Sequence, residues 1–569
     1  MPANDMPSNH AIWRKDLAKG TYRILTPGTY QLQEDIEFAP NPDQNFFPDP
    51  DDPTYLGPAY VLGFFAAIAI ECDDVCLDLN GYELRYSKEF ALQQRYGSLI
   101  ELSSTPFPPG MGPADFGPSL VSASRCTIKN GTLGLVSHHS IHGNLCDQIR
   151  IEGVVCRDFE VAAISLNGST NVSISSCTIG PNRQDIPVLG AYSHARFLLH
   201  LSQAYLKKWV DRLTDEQFER ISRSSEVLEA TLDRVKSEIE CSGSTSDELF
   251  ANHSGLLDSN CYGICIFPRG IAVHDLTDKS YAQSPCQGIR IKDVSIRDLK
   301  CNPTEIVSIS EPNGDFVQFD LAGGVFQVLR CVRPDGRYVG NPLSDLQIAL
   351  AAPGFKFGNM TISPDIVQWA TDPAMTLGGV LAKAQYRYRC SGDVMFHLVK
   401  GSIGLRIDGT SDFSVKRVKV QLITNCGRLG NDTHNGHYQV SHTYQNRPLY
   451  HGCDSYGICL SRVSDGRLQD VAVRDVHSDN GEACGVYLNS KCRKLRLERT
   501  AIRKISSGYR RKNGKWHGKC WDGSVKPYSG LPPNVIPTSV GIHLSSNSPS
   551  LKEVTIHKLR GPRLQRTAD

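Results

Sequence analysis

Short stretches in which apolar and polar residues alternate recur at a fixed spacing along the chain. Three of them begin at Cys126, Ile149 and Val172, so that two successive steps of 23 residues separate them. Each stretch is rich in β-branched residues and is bounded by Gly, Asn or Ser, which is typical of short strands. The spacing therefore predicts a repetitive all-β architecture rather than an array of helical repeats.

A second motif consists of a small residue, an apolar residue, any residue and another apolar residue. It occurs as Ala163-Ile164-Ser165-Leu166, Gly263-Ile264-Cys265-Ile266, Gly404-Leu405-Arg406-Ile407, Gly457-Ile458-Cys459-Leu460, Gly485-Val486-Tyr487-Leu488 and Gly541-Ile542-His543-Leu544. Further strand-like segments usually follow each copy. These repeats predict a coil that stacks parallel strands, with alternate side chains filling a narrow interior.

Several segments resemble a known superfamily. The run from Val75 to Gly81 (VCLDLNG), the later Asn130-Gly131 and the repeated Gly-Ile-x-Leu strands resemble the right-handed parallel β-helix of pectin lyase-like proteins. The segment from Pro27 to Leu32 (PGTYQL) resembles the one that often precedes such a helix. The resemblance implies a single right-handed parallel β-helix, but no particular activity, because this superfamily includes lyases, hydrolases, epimerases, phage tail proteins and structural proteins.

Interruptions of the repeat define the expected organisation. We expect a capping segment over residues 1–70 and a β-helix over residues 71–560, followed by a basic tail, 561–569. Three inserts interrupt the β-helix: a helical one over 181–256, a mixed one over 310–390 and a loop over 426–453. An apolar stripe from Phe197 to Trp209 and a capping box at Thr214 predict a helical hairpin over the coil. The alternative is a partner-binding arm, through which the chain could form oligomers.

Composition and charge exclude several classes. Lys and Arg number 61 against 60 Asp and Glu, so no global field attracts nucleic acid. The most apolar run, residues 60–70, is too short to cross a bilayer. Residues 1–16 contain no apolar segment of a signal peptide, so the expected location is cytoplasmic or unknown. P-loop, GxGxxG, nucleophile-elbow and HExxH motifs do not occur in the sequence.

Strand alternation predicts which side chains face outwards. If the apolar residues of each motif point inwards, the residue between them points outwards. Stacking then builds an exterior row, which contains His142, Ser165, Cys265, Arg406, Cys459, Tyr487 and His543. Asp408 shares this face. Imidazole, phenol, guanidinium and thiol groups distinguish this row from an ordinary water-facing sheet.

The histidine cluster at residues 137–144 is the sharpest chemical signal. An imidazole titrates near neutrality and suits general acid and base catalysis, so His138 and His142 are the candidate catalytic groups. Asp158 lies in the next coil and could orient an imidazole, while Asn144 and Asn167 are expected to bind substrate. The alternative is that these histidines satisfy backbone groups at a turn. No acidic partner at helical spacing supports a metal, so we expect no cofactor, with a divalent cation left open.

A second polar concentration lies before the helical insert. Tyr192, His194 and Arg196 form it, and the arginine could hold a carboxylate or phosphate with two hydrogen bonds. Capping of the following helix explains these residues equally well.

These observations favour a carbohydrate-active enzyme. The row is richer in His, Tyr and Arg than in acids, which suits a lyase or epimerase on a uronate polysaccharide better than a glycosidase. His142 would be the base, Tyr487 the acid and Arg406 the group that neutralises the sugar carboxylate. A local site of His138, His142, Asp158, Asn167 and Arg196 is the alternative. A structural or binding solenoid and an intracellular enzyme acting on a small molecule remain the competing hypotheses.

Overall fold

The chain forms stacked coils of parallel strands. A computed structural model describes residues 9–106 except 45, 50, 57, 61–62 and 94–96, then 120–182, 261–268, 285–301, 402–425, 454–508 except 480 and 490, and 539–560 except 545–548. It also describes short stretches between residues 215 and 226, 356 and 361, 443 and 448, and 510 and 528.

Two large sheets form the walls of the coil. The seventeen-stranded sheet comprises β1 (Asn9–Ile12), β3 (Gly28–Leu32), β4 (Ile36–Phe38), β6 (Val75–Asp78), β7 (Glu83–Tyr86), β9 (Thr127–Leu133), β11 (Arg150–Cys156), β13 (Ser173–Ser175), β14 (Thr178–Ile179), β16 (Cys286–Lys292), β17 (Ser295–Cys301), β21 (Thr410–Lys416), β22 (Lys419–Asn425), β26 (Ser464–Ser478), β28 (Arg493–Ser507), β33 (Ser550–Lys552) and β34 (Thr555–Arg560). The ten-stranded sheet comprises β2 (Tyr22–Ile24), β5 (Ala66–Ile70), β8 (Ser98–Glu101), β10 (His139–Asn144), β12 (Ala162–Asn167), β15 (Cys261–Phe267), β20 (Ser402–Asp408), β25 (Ser455–Ser461), β27 (Ala483–Leu488) and β32 (Ser539–Leu544).

The remaining described elements are short. They are helix α1 (Lys88–Gln93), the 3₁₀ turns Arg14–Leu17, Pro42–Gln44, Pro53–Tyr55 and Pro58–Tyr60, and the antiparallel strands β18 (Lys356–Phe357), β19 (Met360–Thr361), β23 (Thr443–Tyr444), β24 (Arg447–Pro448), β29 (Arg510–Lys512), β30 (Lys515–Lys519) and β31 (Val525–Tyr528). Within the described residues, no helix is both long and apolar enough to cross a membrane.

The strand register confirms that parallel strands of successive coils stack as the predicted β-helix requires. Ile128, Ile151 and Ile174 are directly paired, which reproduces the step of 23 residues read from the sequence. All six copies of the small-apolar-x-apolar motif lie in the ten-stranded sheet, in β12, β15, β20, β25, β27 and β32.

The seventeen-stranded sheet bends along a line of residues with positive φ. We call the strands before this bend the first limb and those after it the second limb. Successive coils place Asp293, Arg417, Asp470 and Arg499 at the bend. A left-handed backbone is costly for side chains other than Gly, Asn and Asp. Here acid and arginine alternate, and Arg417 donates to Asp293 at 2.8 Å while Arg499 donates to Asp470 at 3.0 Å.

The small residue of each motif packs at the narrowest part of the interior. A Cβ atom at Gly457 would lie 2.3 Å from Cγ1 of Val473 and 2.6 Å from the backbone oxygen of Gly485. Real Cβ contacts do not reach such distances, so the coil must widen to admit even an alanine. This close approach explains why glycine recurs at the position.

Gly457→Ala is therefore expected to destabilise the protein by about 1–3 kcal/mol, the usual cost of overpacking a core. Urea unfolding measures the change. Ser414→Ala, at a partly exposed position of the first limb, is the control and should change the free energy of unfolding by less than about 0.5 kcal/mol. Equal stability of the two variants would show that the interior adapts.

The long inserts attach at the borders of the ten-stranded sheet. Four of them lead into β15, β20, β25 and β32, and two others follow β8 and β15. Most of the predicted inserts 181–256, 310–390 and 426–453, and the tail 561–569, lie outside the described residues. In the helical insert, Asp215, Phe218, Glu219, Ser222 and Glu226 have helical backbone. Coil strands begin at Asn9, well before the expected boundary at residue 71.

Candidate functional site

The outer face of the ten-stranded sheet carries one continuous row of side chains. Strand register aligns Glu101, His142, Ser165, Cys265, Arg406, Cys459, Tyr487 and His543. All members except Glu101 were identified from the sequence. We call these residues the outer row.

Glu101 and His142 form a buried carboxylate–imidazole pair. The Nδ1 atom of His142 lies 2.9 and 2.8 Å from the two carboxylate oxygens of Glu101, which also accepts a hydrogen bond from Ser98 Oγ at 3.0 Å. Glu101 is 0% exposed and His142 is 8% exposed. Since a carboxylate accepts only, Nδ1 carries the proton, and Nε2 is the atom that can receive another.

Two buried asparagines complete the surroundings of His142. Asn167 Nδ2 lies 3.1 Å from His142 Nε2 and donates to Asn144 Oδ1, also at 3.1 Å. Asn144 Nδ2 in turn donates to the backbone oxygen of Pro106 at 3.3 Å. The sequence analysis expects Asn144 and Asn167 to bind substrate, and the structure places both amides in the hydrogen-bond network next to His142. Asn167 thus fills the hydrogen-bonding position beside Nε2 and helps to fix the ring.

The other two histidines of the cluster extend the site. The His139 ring stacks on the His142 ring, with centroids 4.8 Å apart and an angle of 8° between the planes, and Nδ1 of His138 lies 2.9 Å from Nδ1 of His139. Burial, with the adjacent His138 and His142, lowers the pKa of His139 well below its usual value. His139 is therefore neutral at pH 7, and His138 is the partly exposed member.

The carboxylate that contacts His142 is Glu101, whereas the sequence suggested Asp158. Asp158 lies in the turn before β12. Its backbone oxygen accepts a hydrogen bond from the backbone N–H of Val136, which lies in the neighbouring coil, six residues before His142. The backbone at Asp158 has a φ of 52°. Asp158 therefore lies at a corner of the coil and not on the outer face, where the His142 imidazole lies.

Arg406 lies on the outer row between aromatic side chains. Its guanidinium carbon is 4.9 Å from the ring centroid of Phe267, and Nη1 donates to the Tyr262 hydroxyl at 3.2 Å. The Nε atom is buried and has no hydrogen-bond partner in the described part of the chain. An unpaired buried donor is costly, and the Arg406 side chain as a whole remains 23% exposed.

Asp408 forms its ion pair with Arg462 rather than with Arg406. Arg462 donates to both of its oxygens, at 2.8 and 2.6 Å, whereas Arg406 Nη2 remains 3.8 Å from Oδ2. Burial raises the pKa of Asp408 to about 6, against the effect of the Arg406 guanidinium, so the carboxyl is ionised at pH 7. Two guanidiniums share one carboxylate, which leaves a surplus positive charge at Arg406.

The two cysteines beside Arg406 are covered rather than exposed. Cys265 and Cys459 occupy outer-row positions yet are only 1% and 7% exposed. They pack in a cluster with Ala162, Tyr262, Phe267 and Ile403 on the same face. Burial raises the pKa of Cys459 to about 11, so this thiol is neutral and supplies no charge to the site.

The last members of the outer row join an aromatic and acidic group. Tyr487 contacts Tyr456 and His543, with ring centroids 5.3 and 4.7 Å away. Asp454 accepts from the Tyr456 hydroxyl at 3.1 Å and from the Glu482 backbone N–H at 2.7 Å. Burial, and then the charge of Asp454, raises the pKa of Glu482 to about 7.

The raised pKa of Glu482 predicts a pH-dependent stability. The folded protein keeps the proton to about pH 7 whereas the unfolded chain releases it near 4.5, so stability falls as pH rises between these values. Glu482→Gln removes this loss and should stabilise the protein by roughly 2 kcal/mol at pH 8, after allowance for partial exposure, and by little at pH 4.

Thermal unfolding of Glu482→Gln and wild type between pH 4 and pH 8 measures the difference. The exposed Glu152 gives the control Glu152→Gln. A difference between wild type and Glu482→Gln that is constant with pH would contradict the assignment.

The register sets the distances along the outer row. His142 and Arg406 are three strands apart, about 14 Å at the strand spacing of ~4.8 Å, and Tyr487 is a further two strands away. The three groups therefore cannot act on a single sugar unit, as the sequence interpretation had combined them. The separations along the outer row are therefore larger than one sugar unit.

Three expected binding residues, Tyr192, His194 and Arg196, lie outside the described residues. Among residues the structure describes, no three His, Cys, Asp or Glu side chains converge to hold a metal ion.

Comparisons with known proteins give remote structural similarities only. No family model and no curated protein matches the sequence. Among solved structures, the A-module of Azotobacter vinelandii mannuronan C-5 epimerase AlgE6 is 8% identical, over 96% of this chain and 98% of that one, with a TM-score of 0.27. The tailspike of E. coli bacteriophage HK620, solved with a pentasaccharide, is 6% identical over 93% and 59%, with a TM-score of 0.27. The Streptococcus pneumoniae surface protein and adhesin PfbA is 7% identical over 96% and 90%, with a TM-score of 0.20.

The strand pairing defines the class of this protein, a parallel β-helix, and its ten-stranded sheet has a chemically diverse outer face.

Proposed function

We propose that this protein is an enzyme that abstracts the C5 proton of a uronate unit in an acidic polysaccharide, with His142 as the base. The observation that carries the proposal is the buried Glu101 carboxylate at 2.8 Å from His142 Nδ1, on the outer face of the sheet. A buried charge is costly unless it is paired. A paired carboxylate that orients an imidazole is a general base arrangement.

The proton transfer follows from the tautomer. Glu101 accepts from Nδ1–H, so Nε2 carries the lone pair that removes the proton next to the sugar carboxylate. In a lyase the released electron pair forms the C4–C5 double bond, the C4–O bond breaks, and the leaving oxygen takes the proton that the His142 imidazolium carries. In an epimerase a proton from water returns to C5 from the opposite face, and the His142 imidazolium releases its proton to solvent. In both reactions Glu101 stabilises the imidazolium that forms.

Asn167 occupies the position that the substrate must take. Its amide donates to His142 Nε2, so binding has to replace this hydrogen bond before Nε2 can act as a base. Once released from Nε2, the amide of Asn167 can donate to the carboxylate of the reacting unit.

Arg406 binds a second acid group of the same polymer. The surplus charge that Asp408 and Arg462 leave at Arg406 favours an anion. Its distance of about 14 Å from His142 means that this anion belongs to another unit of the chain. An acidic polymer therefore fits the row better than a small substrate.

The test is incubation of the protein with linear polyuronates in D₂O. Deuterium at C5, detected by NMR, reports proton abstraction, and ultraviolet absorbance of an unsaturated product separates elimination from epimerisation. Turnover with one uronate polymer and none with its carboxyl-reduced form is expected. Absence of both deuterium and unsaturation from every uronate polymer would refute the proposal.

A second candidate is a carbohydrate-binding protein without turnover. The stack of Tyr456, Tyr487 and His543 favours it, because aromatic rings provide flat apolar surfaces for sugar rings. Binding of a polymer that leaves C5 unlabelled would support this candidate.

A further inference from the structure

The outer face of the first limb carries a column of arginines that the proposed active site does not use. Register aligns Thr127, Arg150, Ser173, Arg290, Ser414, Arg467, Arg496 and Ser550 along the axis. Neighbouring strands are ~4.8 Å apart, so Arg150, Arg290 and Arg467 follow each other at about 10 Å. We call this line the arginine column.

The face around the column has an excess of positive charge although the whole chain is nearly neutral. From β9 to β33, the column and its two flanking columns hold ten basic side chains, Arg125, Lys129, Arg150, Arg290, Lys292, Lys416, Arg467, Lys494, Arg496 and Lys552, and four acidic ones, Glu152, Asp412, Asp465 and Glu498. Several of these basic side chains are paired: Arg290 with Asp412, Arg467 with Glu498 and Lys494 with Asp465. Arg125 and Lys129 pair with acids of the preceding coil, Arg125 with Asp73 and Asp74 and Lys129 with Asp78. Arg150 and Arg496 are exposed and form no ion pair within the described part of the chain.

A shallow groove of about 890 Å³ runs along this face. Residues of five successive coils line it, from Arg125 and Arg150 to Arg290 and Asp412. It therefore follows the axis of the β-helix, on a different sheet from the outer row.

We propose that the first limb is a second binding surface, on which a single-chain acidic polysaccharide lies along the groove with its carboxylates at the arginine column. This inference goes beyond the proposed function, since it concerns binding on a face that lacks the catalytic pair. One straight column of cations matches one extended chain of anions. A nucleic-acid duplex instead presents two strands of phosphates around a wide cylinder.

The arrangement has a consequence for a polymer-acting enzyme. A polysaccharide that is bound to the first limb remains near the ten-stranded sheet of the same coils after it leaves the active site. Linked binding sites of this kind raise apparent affinity without a new contact at the site itself.

The chain itself supplies matched variants. Serine occupies the column at Ser173 and Ser414, so Arg150→Ser and Arg496→Ser introduce a residue that this position already accommodates. The second limb carries its own aligned arginines, including Arg297 and Arg503, both exposed. Arg297→Ser with Arg503→Ser removes the same charge from a face without the groove.

Affinity for polygalacturonate is measured by biolayer interferometry at two ionic strengths, in a His142→Ala background that avoids turnover. Each first-limb change should weaken binding about threefold to fivefold, and the pair about tenfold or more, with a smaller salt dependence. The second-limb pair should stay within about twofold.

Equal losses in both pairs, or no loss in either, would overturn the proposal. Tighter binding of a short DNA duplex than of polygalacturonate would overturn it in favour of nucleic acid. Circular dichroism checks that each variant is folded. Because the assay measures binding without turnover, its failure leaves the proposed proton abstraction untouched.

Discussion

Glu101→Gln is expected to lower turnover of a uronate polymer about 10²–10⁴-fold, with little change in KM. The glutamine amide places an N–H donor where the carboxylate accepts from His142 Nδ1. The ring then favours the tautomer with its proton on Nε2, which can no longer take a proton from C5. Loss of the buried negative charge also removes the group that stabilises the imidazolium.

Asp158→Asn is the comparison that distinguishes the two carboxylates. Asp158 was the acid that the sequence offered to His142, and its corner position predicts turnover within about threefold of wild type. Urea unfolding of both variants separates catalytic from structural effects. A Glu101→Gln protein that unfolds easily but turns over at the normal rate would assign the pair a structural role only.

The sequence predicted the sidedness of the outer row because strand alternation has a period of two. The register pairs Ile141, Ile164, Ile264 and Leu405 as inward residues and places the following residue outside in each coil. Glu101 was missed because Leu99 replaces the small residue that opens the other copies of the motif. The apolar-x-apolar signal was nevertheless present in Ile100-Glu101-Leu102.

Burial of the outer row could not be read from alternation. Parity says that Cys265 points away from the interior, but only three-dimensional packing shows that side chains such as Tyr262 and Phe267 cover it. Net charge was equally uninformative about single faces. A total of +1 conceals a first limb on which basic side chains outnumber acidic ones.

Distances along the axis were also out of reach of the sequence. His142 and Arg406 are 264 positions apart, yet β12 pairs directly with β15 and β15 with β20. The inserts between these strands do not increase the distance along the axis, since the strands before and after each insert pair directly. Only three strand spacings therefore separate His142 and Arg406, although the sequence alone suggests that the two residues are far apart.

Arg462→Met is expected to reduce stability and affinity for acidic polymers together. It removes both hydrogen bonds to the buried carboxylate of Asp408. Breaking a buried pair leaves a charge uncompensated, which costs about 3 kcal/mol here, at the lower end of the usual range because Arg406 remains nearby. Urea unfolding measures this loss.

The effect on affinity follows from the position of Arg406. In the variant its guanidinium is the closest remaining cation to Asp408, and pairing between them cancels the surplus charge that we assign to the substrate. KM for a uronate polymer should rise about tenfold while kcat changes little, since His142 and Glu101 are three strands or more away.

The double variant Asp408→Asn with Arg462→Met provides the decisive comparison. It removes both members of the ion pair and leaves Arg406 without a competing carboxylate, so stability should partly recover and KM should return to within about threefold of wild type. A double variant with KM as high as that of Arg462→Met would show that Arg462 itself holds the polymer. In that case Arg406 would be a packing residue between Tyr262 and Phe267 rather than an anion site.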